Sequence, residues 1–412
     1  MRSWKANYTA LLIAETLAIM GFSISIPIIP LFLEADIGIT DPVRLKAWVG
    51  ILTSSSMIAM AVFAPIWGRL ADTYSRRAML LRAMFGGAIV ISLMAFVASP
   101  WQLLVLRILQ GILTGTVAAA IVLAAGITPV AHIAFAMGLL HTGIAVGNSL
   151  GPLVGGIISD IFNYRIAFFS TGLVLALAGF IIFTWVDKDD QRKAEGEPAA
   201  EPTGRGSPPV AKKLSLIPDI KPIISSPLLI TLMFVTLGVH AANGAILPML
   251  PIFLKRLLLE TTGEITFVAS TTGVVIGVGA AFTALAAVIV GKFSTRLGYW
   301  KTLIFCLSAG ALLTIPQTFA SSVMQLTVLR ALSSFFIGGT IPVVNAIIAI
   351  SSDKNKQGTI YGFNSSMTFV GAALGPMIGS VAAIMNYRGM FIASAVILAL
   401  SAFGTIKRRK EN

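Results

Sequence analysis

The sequence predicts an all-α integral membrane protein with twelve transmembrane helices, arranged as two six-helix pseudo-repeats. Three observations predict this fold class: a strongly apolar composition, apolar runs of about 20 residues from end to end, and a second half that repeats the first. Of the 412 residues, 56% are hydrophobic and 11% are charged, whereas a soluble domain carries about 25% charged residues. This composition excludes an ordinary soluble enzyme.

The apolar runs favour helices over the strands of a membrane barrel, which need only about 10 residues each. No small-residue cleavage site follows the first run, so we expect that run to stay as a membrane anchor. The predicted spans are 7–33, 45–68, 78–98, 101–124, 130–158, 165–186, 226–254, 266–290, 300–319, 322–350, 359–384 and 388–406.

The net charge of +13 is explained by topology and gives no indication of a nucleic-acid partner. Lys and Arg are concentrated at Arg2 and Lys5, between residues 188 and 221, and at 407–410, all on one predicted side of the membrane. The positive-inside rule then predicts a multi-pass protein with both termini in the cytoplasm. Cys306 is the single cysteine, so the chain forms no internal disulfide.

A change of composition divides the chain into two halves. Residues 187–224 are charged and rich in Pro, Gly and Ala, which predicts a flexible cytoplasmic linker between a first half at 1–186 and a second half at 225–412. The string PIIPLFL from Pro27 matches PMLPIFL from Pro248. Parallel six-helix repeats with a site between them are typical of secondary transporters.

Glycines recur at every fourth position in the fifth and eleventh spans, a pattern that lets two helix backbones approach closely. Pro152 and Pro376 interrupt the same runs and can kink their helices. We expect the fifth helix to pair with the eighth, through Gly273 and Gly277, and the second with the eleventh. These contacts either slide during transport or pack without movement. The glycines are Gly147, Gly151 and Gly155, and Gly371, Gly375 and Gly379.

Three motifs resemble the major facilitator superfamily. The fifth span fits the antiporter motif G-x8-G-x3-GP-x2-GG, the segment GRLADTYSRR from Gly68 resembles the loop motif between helices two and three, and RILQG from Arg107 resembles the fourth-helix motif. Ser75 and Thr73 depart from the loop pattern, and Thr295 replaces the acid in its second copy. The residues that fit the antiporter motif are Gly138, Gly147, Gly151, Pro152, Gly155 and Gly156.

The resemblance implies the drug:proton antiporter branch, in a bacterial cytoplasmic (inner) membrane. It also implies that Asp72, at the inner end of the second helix, latches the inward side shut; the alternative is a solvated loop charge. The residues expected to serve in gating and interhelix contacts are Gly68, Asp72, Arg76, Arg77, Gly147, Gly151, Pro152, Gly155, Gly156, Gly375 and Pro376.

Glu15 is the candidate for proton coupling, because it is the one acid well inside a predicted span. At the helical rise it lies roughly 14 Å deep. Arg107 could hold Glu15 in its charged form or bind an anionic group of the substrate, and Arg330 occupies the matching place in the second half. His141 and His240 could relay protons or be simply hydrogen-bonded.

Aromatic, thioether and amide side chains in the spans are candidates for the wall of a substrate cavity. Aromatic and thioether groups suit varied apolar ligands, and the amides can donate and accept hydrogen bonds. The candidates are Met20, Phe22, Gln110, Phe234, Asn243, Phe335, Asn345, Tyr361 and Asn364.

These features predict a secondary active transporter that exports lipophilic or cationic small molecules by proton-coupled antiport and alternating access. The alternative is a specific exporter or uptake carrier for a metabolite such as a sugar or siderophore. No P-loop or metal-ligand cluster is present in the sequence, so we expect no enzyme activity, cofactor or metal, and the proton gradient as energy source. The expected partners are a small-molecule substrate, protons and the lipid bilayer, without nucleic acid, and the expected state is a monomer.

Overall fold

A computed structural model describes residues 3–73, 75–187, 226–352 and 357–411. Within these ranges the fold is all-α, and twelve helical segments are long and apolar enough to cross a membrane. The predicted fold class is therefore confirmed. The predicted linker, apart from Asp187, lies outside the described residues.

The first half contains eight α-helices within the described ranges. The fourth span is divided between α5 and α6, and the first between α1 and α2, which follow each other closely. The helices are α1 (Trp4–Ile24), α2 (Ile28–Ala35), α3 (Pro42–Thr73), α4 (Arg76–Met94), α5 (Pro100–Leu113), α6 (Thr116–Ile127), α7 (Ile133–Ile161) and α8 (Tyr164–Trp185).

The second half contains seven α-helices within the described ranges, and α10 extends the course of the seventh span. The helices are α9 (Pro227–Ile246), α10 (Leu250–Thr262), α11 (Val268–Leu297), α12 (Tyr299–Thr314), α13 (Val323–Ser351), α14 (Gln357–Met385) and α15 (Gly389–Glu411). Ser99 and Ser322 cap α5 and α13 at matching places of the repeat, each accepting a hydrogen bond from a backbone amide of the first turn.

The buried apolar side chains form two main clusters, one centred on the first half and extending into the second, and one within the second half. In the first half, Leu11 of α1, Ile91 of α4 and Phe168 of α8 are fully buried in one cluster. In the second half, Leu232 of α9 and Leu398 of α15 belong to another. Because lipid tails are as apolar as these side chains, the cores are held by close packing and by polar contacts between helices.

Two helix pairs join the halves: α7 packs against α11, and α3 packs against α14. The predicted pairing of the second span with the eleventh and of the fifth with the eighth is confirmed. The Ser149 hydroxyl donates to the Gly277 carbonyl at 2.8 Å, and the Ser54 hydroxyl donates to the Ala373 carbonyl at 2.6 Å. Such hydrogen bonds add to packing where small side chains bring helices close.

The glycine stripes of α7 and α14 face their own halves, so the expectation that these stripes form the contacts between the halves was wrong. A Cβ at Gly147 would meet the Met20 backbone nitrogen at 2.9 Å, on α1. A Cβ at Gly375 would meet the Cα atom of Gly244 at 2.8 Å, on α9. The spacing of small residues defines a flat helix face but does not say which helix covers it. Gly156, next to the stripe, faces Ala269 of the other half.

The halves are closed together on the membrane side away from the chain termini, which we call the remote face. There Lys255 Nζ lies 2.8 Å from Glu34 Oε2, and Lys46 Nζ donates to the Ala383 carbonyl at 2.7 Å. The Asp160 carboxylate accepts from the backbone nitrogen of Ser270 at 2.6 Å, at the amino terminus of α11, where a negative charge is favourable.

Toward the opposite side, the terminal face, the helices that join the halves have open space beside them. A Cβ at Gly138 of α7, Gly291 of α11 or Gly362 of α14 would have no atom within 4 Å. These glycines lie nearer the terminal face than the tightly packed Gly156 and Gly273. The halves are therefore tightly closed at the remote face and less tightly packed toward the terminal face.

Candidate functional site

A cavity of about 410 Å³ lies between the two halves. Its wall is mainly apolar and includes Phe22, Met57 and Met60 from the first half. Arg107 and His240 are the ionisable side chains among its described lining residues. A mainly apolar wall with few polar groups is the usual composition of a small-molecule site.

Three of the predicted cavity residues line this cavity: Phe22, Gln110 and Asn243. Six others do not line this cavity in this structure, so their role in a substrate site stays a prediction. Phe234 is 64% exposed, and Phe335 packs edge-on against Phe336 with ring centroids 5.5 Å apart. The others are Met20, whose backbone packs against α7, and Asn345, Tyr361 and Asn364.

Asn345, Tyr361 and Asn364 instead form a polar network with Thr236 between α9, α13 and α14. The Thr236 hydroxyl donates to Asn364 Oδ1 at 2.7 Å, and Asn364 Nδ2 donates to Asn345 Oδ1 at 3.4 Å. The Tyr361 hydroxyl donates to the Asn345 carbonyl at 2.9 Å. In the sequence, an amide facing the cavity cannot be told from one that bonds to a neighbouring helix.

Glu15 lies just behind the cavity wall. Its side chain is 0% exposed, and its Oε1 accepts a hydrogen bond of 2.8 Å from the Thr116 hydroxyl. Its Oε2 is buried with no hydrogen-bond partner. Thr116 itself lines the cavity, so one side chain separates the buried carboxylate from the cavity.

Arg107 is 7% exposed and also lies on the wall. Its Nη1 donates to Gln110 Oε1 at 2.7 Å, while its Nε has no partner. The sequence left two roles open for Arg107: pairing with Glu15 and binding an anionic group of the substrate. This structure does not contain the pair with Glu15. Arg330, its counterpart, donates from Nη2 to Asn243 Oδ1 at 3.2 Å.

The two predicted histidine relays are in different environments. His240 of α9 is half-buried and lines the cavity. His141 of α7 is exposed, and the cavity wall does not include it. The structure therefore brings His240, and not His141, near Arg107 and Gln110.

The residues of the loop motif can be followed only in part. Gly68 and Asp72 are described only as backbone of α3, so the latch role of Asp72 stays a prediction. Arg77 packs inside the first half, where its Nε donates to the Ile182 carbonyl at 3.3 Å, near the end of α8. Arg76 lies close to Gly126, whose Cβ would meet the Arg76 Nη1 atom at 2.8 Å. Arg77 thus stabilises a helix end, where a cation is favourable.

The interruption of the fourth span was not predicted. It occurs between Leu113 and Thr116, where Gly115 has φ 123°, in the region that favours glycine. The indole nitrogen of Trp67 donates to the Ile112 carbonyl at 2.6 Å beside the interruption. The sequence signal was Gly115 between two threonines, which compete locally for backbone hydrogen bonds.

A metal centre is not supported by the part of the chain that the structure describes. Within those residues, no group of three or more His, Cys, Asp and Glu side chains is placed to hold a metal ion.

Two parallel six-helix halves around a central cavity define the fold of a secondary transporter. The sequence profile of the Major Facilitator Superfamily matches residues 11–323 and 262–412. The chain belongs to this family and is a multi-pass membrane transporter, not an enzyme.

The sequence is similar to curated bacterial proteins over nearly its full length. It is 32% identical over 406 residues to the multidrug resistance protein MdtG of Enterobacter lignolyticus, covering 98% of this chain and 92% of that protein. It is 32% identical over 399 residues to MdtG of Proteus mirabilis, covering 96% and 94%.

Solved structures resemble the fold at low sequence identity. The nucleoside transporter NupG superposes with a TM-score of 0.78 at 14% identity, covering 97% of this chain and 98% of that one. An inward-facing bacterial homologue of the human lysosomal transporter Spinster gives 0.73 at 16% identity, covering 98% and 96%. At these identities the likeness shows the fold alone.

Proposed function

We propose that the protein is a proton-coupled exporter of lipophilic small molecules that works by alternating access. The observation that carries this proposal is Glu15, a fully buried carboxylate with one unpartnered oxygen, one side chain away from the cavity. Ionisable groups inside a membrane are costly and mark ion or proton pathways. The names of the MdtG relatives support export of drugs.

Protonation of Glu15 would couple proton movement to the change of access. In a desolvated site the neutral carboxyl is favoured, whereas access to water or a nearby positive group favours the carboxylate. A carboxyl that takes up its proton when one side is open, and releases it when the other is open, drives exchange in one direction. No bound cofactor is needed for this cycle.

The membrane orientation follows from the distribution of basic residues. With both termini in the cytoplasm of a bacterial cell, the remote face is external, and the described contacts correspond to a transporter closed toward the outside. A monomer is sufficient for this cycle, because the two halves enclose the cavity between them.

The cavity wall favours neutral or acidic lipophilic substrates over cations. Phe22, Met57 and Met60 supply adaptable apolar surface. The ionised group on the wall is Arg107, whose Nε has no partner, and the described lining residues include no carboxylate. Of the substrates expected from the sequence, cationic compounds therefore have less support than lipophilic ones.

The same arginine favours one second candidate, a carrier specific for an acidic metabolite. A guanidinium on the cavity wall can bind a carboxylate or phosphate of a defined substrate. Such a carrier would transport one acidic compound and leave neutral dyes untouched, which separates it from a multidrug exporter.

Inverted membrane vesicles energised by a pH gradient test the proposed function. Uptake of the neutral dye Nile red, the anionic dye fluorescein and the cation ethidium is measured for the unmodified protein and for Glu15→Gln. The matched control is Glu264→Gln, since Glu264 is an exposed acid outside the spans. We expect gradient-driven uptake of Nile red or fluorescein that Glu15→Gln abolishes and Glu264→Gln keeps. Gradient-independent uptake, or full activity of Glu15→Gln, would contradict the proposal.

A further inference from the structure

The interruption between α5 and α6 is specific to the first half. Gly115 is matched by Gly338 in the repeat, yet Gly338 lies inside the unbroken helix α13. A Cβ at Gly338 would meet the Cα atom of Thr283 at 2.7 Å, whereas a Cβ at Gly115 would have no atom within 4 Å. The interruption therefore arises from the surroundings of α5 and α6 and not from glycine alone.

A neighbouring side chain satisfies one of the carbonyls that the interruption frees. In an unbroken helix the Ile112 carbonyl would accept from the Thr116 nitrogen; here it accepts from the Trp67 indole at 2.6 Å. The Thr114 hydroxyl and backbone nitrogen both donate to the Gln110 carbonyl, at 2.7 and 2.9 Å. Freed backbone groups inside a membrane persist only with such partners, so the interruption is a stable feature.

The amino terminus of α6 lies beside Glu15. Gly115, the residue before α6, has no side chain to cap the helix. Instead the first residue, Thr116, donates its hydroxyl to Glu15 Oε1 at 2.8 Å. Oε2 is buried without a partner, and the amino terminus of a 12-residue helix favours a carboxylate nearby.

Thr116 lies between the cavity and the buried Glu15 carboxylate. Its side chain is 2% exposed and lines the cavity, whereas the lining residues do not include Glu15. A hydroxyl can donate one hydrogen bond while it accepts another. The donated bond is already directed at Glu15, and the accepting lone pairs remain available on the oxygen.

We propose that Thr116 is the positioning and relay residue of Glu15, and that protons pass between the cavity and the carboxylate through its hydroxyl. The inference rests on the proposed function, because it supplies the route by which Glu15 is loaded. In the loading step a hydronium ion in the cavity transfers a proton to the Thr116 oxygen. The original hydroxyl proton moves to Glu15 Oε1. The hydronium becomes water, the carboxylate becomes a carboxyl, and Thr116 is a hydroxyl again.

Titratable side chains on the helices around Glu15 offer no equivalent contact among the described residues. Helix α1 packs against α6, α7 and α8, and its own other ionisable side chains, Lys5 and Tyr8, lie near its start. The helix α6 carries no titratable residue, and His141 of α7 is exposed. The remaining titratable residues lie at the remote ends of α7 and α8; they are Asp160, Tyr164 and Arg165.

Hydrogen–deuterium exchange at the Glu15 carboxyl tests the relay without any substrate or gradient. Purified full-length protein in lipid is held at a pH where Glu15 is protonated and is mixed with deuterated buffer. The carboxyl band is followed by time-resolved infrared spectroscopy and is assigned by its loss in Glu15→Gln. We expect Thr116→Val to slow the exchange at least about tenfold, and Thr116→Ser to stay within about twofold of the unmodified protein. Thr142→Val, in an exposed part of α7, is the matched control.

Three results would overturn the relay: unchanged exchange in Thr116→Val, equal slowing in Thr116→Ser, or no Glu15 carboxyl band at any pH where the protein stays folded. Should Thr116→Val fail to fold, the comparison of Thr116→Ser with Thr116→Ala takes its place with the same expected difference. Failure of the proposed function is a separate result, because it appears as absent gradient-driven uptake by the unmodified protein.

Discussion

Glu15 and Arg107 are buried ionisable side chains that lie near the same interrupted span, yet they bond to different partners. Glu15 accepts from Thr116, and Arg107 donates to Gln110. In this state none of the described carboxylates pairs with the arginine, which lines the cavity. At the residue scale, the proposed proton site, Glu15, lies behind the cavity wall, and the proposed anion-binding group, Arg107, lies on it.

Replacement of Arg107 tests this division. A hydrogen bond to a charged group is worth about 1.5–3 kcal/mol, so we expect Arg107→Ala to reduce transport of the anionic dye fluorescein at least about tenfold. Transport of neutral Nile red should stay within about twofold. The measurement is initial uptake at matched expression, with the exposed Arg44→Ala as control. An equal loss for both dyes would indicate a structural role.

The helices of the two repeats differ at the interruption of the fourth span. Trp67 bonds to the interrupted span, whereas Val290, its counterpart, lies against Gly339 inside the unbroken helix α13, where a Cβ at Gly339 would meet a Val290 carbon at 2.8 Å. The first half thus has an indole donor beside its freed carbonyl, whereas the second half has no freed carbonyl at this place and no indole donor. At the element scale, the interruption is stabilised by a neighbouring helix.

The Trp67 hydrogen bond predicts a loss of stability in Trp67→Phe. The variant keeps an aromatic ring beneath Arg82, whose guanidinium carbon lies 3.5 Å from the ring centroid, but leaves the Ile112 carbonyl without its donor. A buried unsatisfied group costs about 1–3 kcal/mol. We expect a lower thermal unfolding midpoint, measured by fluorescence in detergent. Trp101→Phe is the control, because Trp101 is exposed; an unchanged midpoint in Trp67→Phe would contradict the prediction.

Gly115→Ala tests whether the interruption matters for transport. The left-handed region costs a residue with a Cβ roughly 1–2 kcal/mol, so alanine would bias the span away from this geometry. We expect the rate of gradient-driven uptake to fall by at least about fivefold. The control is Gly404→Ala, because Gly404 is a helical glycine that also has open space around its Cβ position but lacks this strain. Equal rates for both variants would show that the interruption is dispensable.

The spans and the helix pairing could be predicted because they depend on apolar run length and on small residues, which are local properties. The candidate site could be predicted only in part. Glu15 and Arg107 stood out because charge is rare in the spans, whereas Asn364 looked like a cavity residue although it bonds to Thr236. The interruption escaped prediction because Gly115 and Gly338 are the same residue type in register, and only their tertiary surroundings differ.

At the scale of the whole molecule, the two halves are joined by helix pairs whose described polar contacts lie toward the remote face. Ser149 bonds to Gly277, and Ser54 bonds to Ala373 across the two pairs. Alternating access requires these contacts to separate while the opposite side closes. The closed remote face therefore has to open in each transport cycle.

A covalent link across the remote face tests this requirement. Lys255 Nζ of α10 lies 2.8 Å from Glu34 Oε2 of α2, and both side chains are 31% exposed, so a short thiol-reactive cross-linker can join cysteines at these two positions. In a Cys306→Ser background, we expect a cleavable cross-linker on Glu34→Cys/Lys255→Cys to stop transport and its cleavage to restore transport. Each single cysteine variant is a control. Full transport by the cross-linked protein would exclude opening of the remote face.

The unequal helices of the two repeats also bear on the history of the chain. Where the first half places Glu15 opposite an interrupted helix, the second places the neutral Thr236 in an amide network beside unbroken helices. We infer that, after an ancestral duplication, the first half acquired or kept the titratable Glu15, whereas the second half kept neutral side chains and unbroken helices. A chimaera with two copies of the second half would accordingly fold as a symmetric bundle but lack the group that we assign to energy coupling.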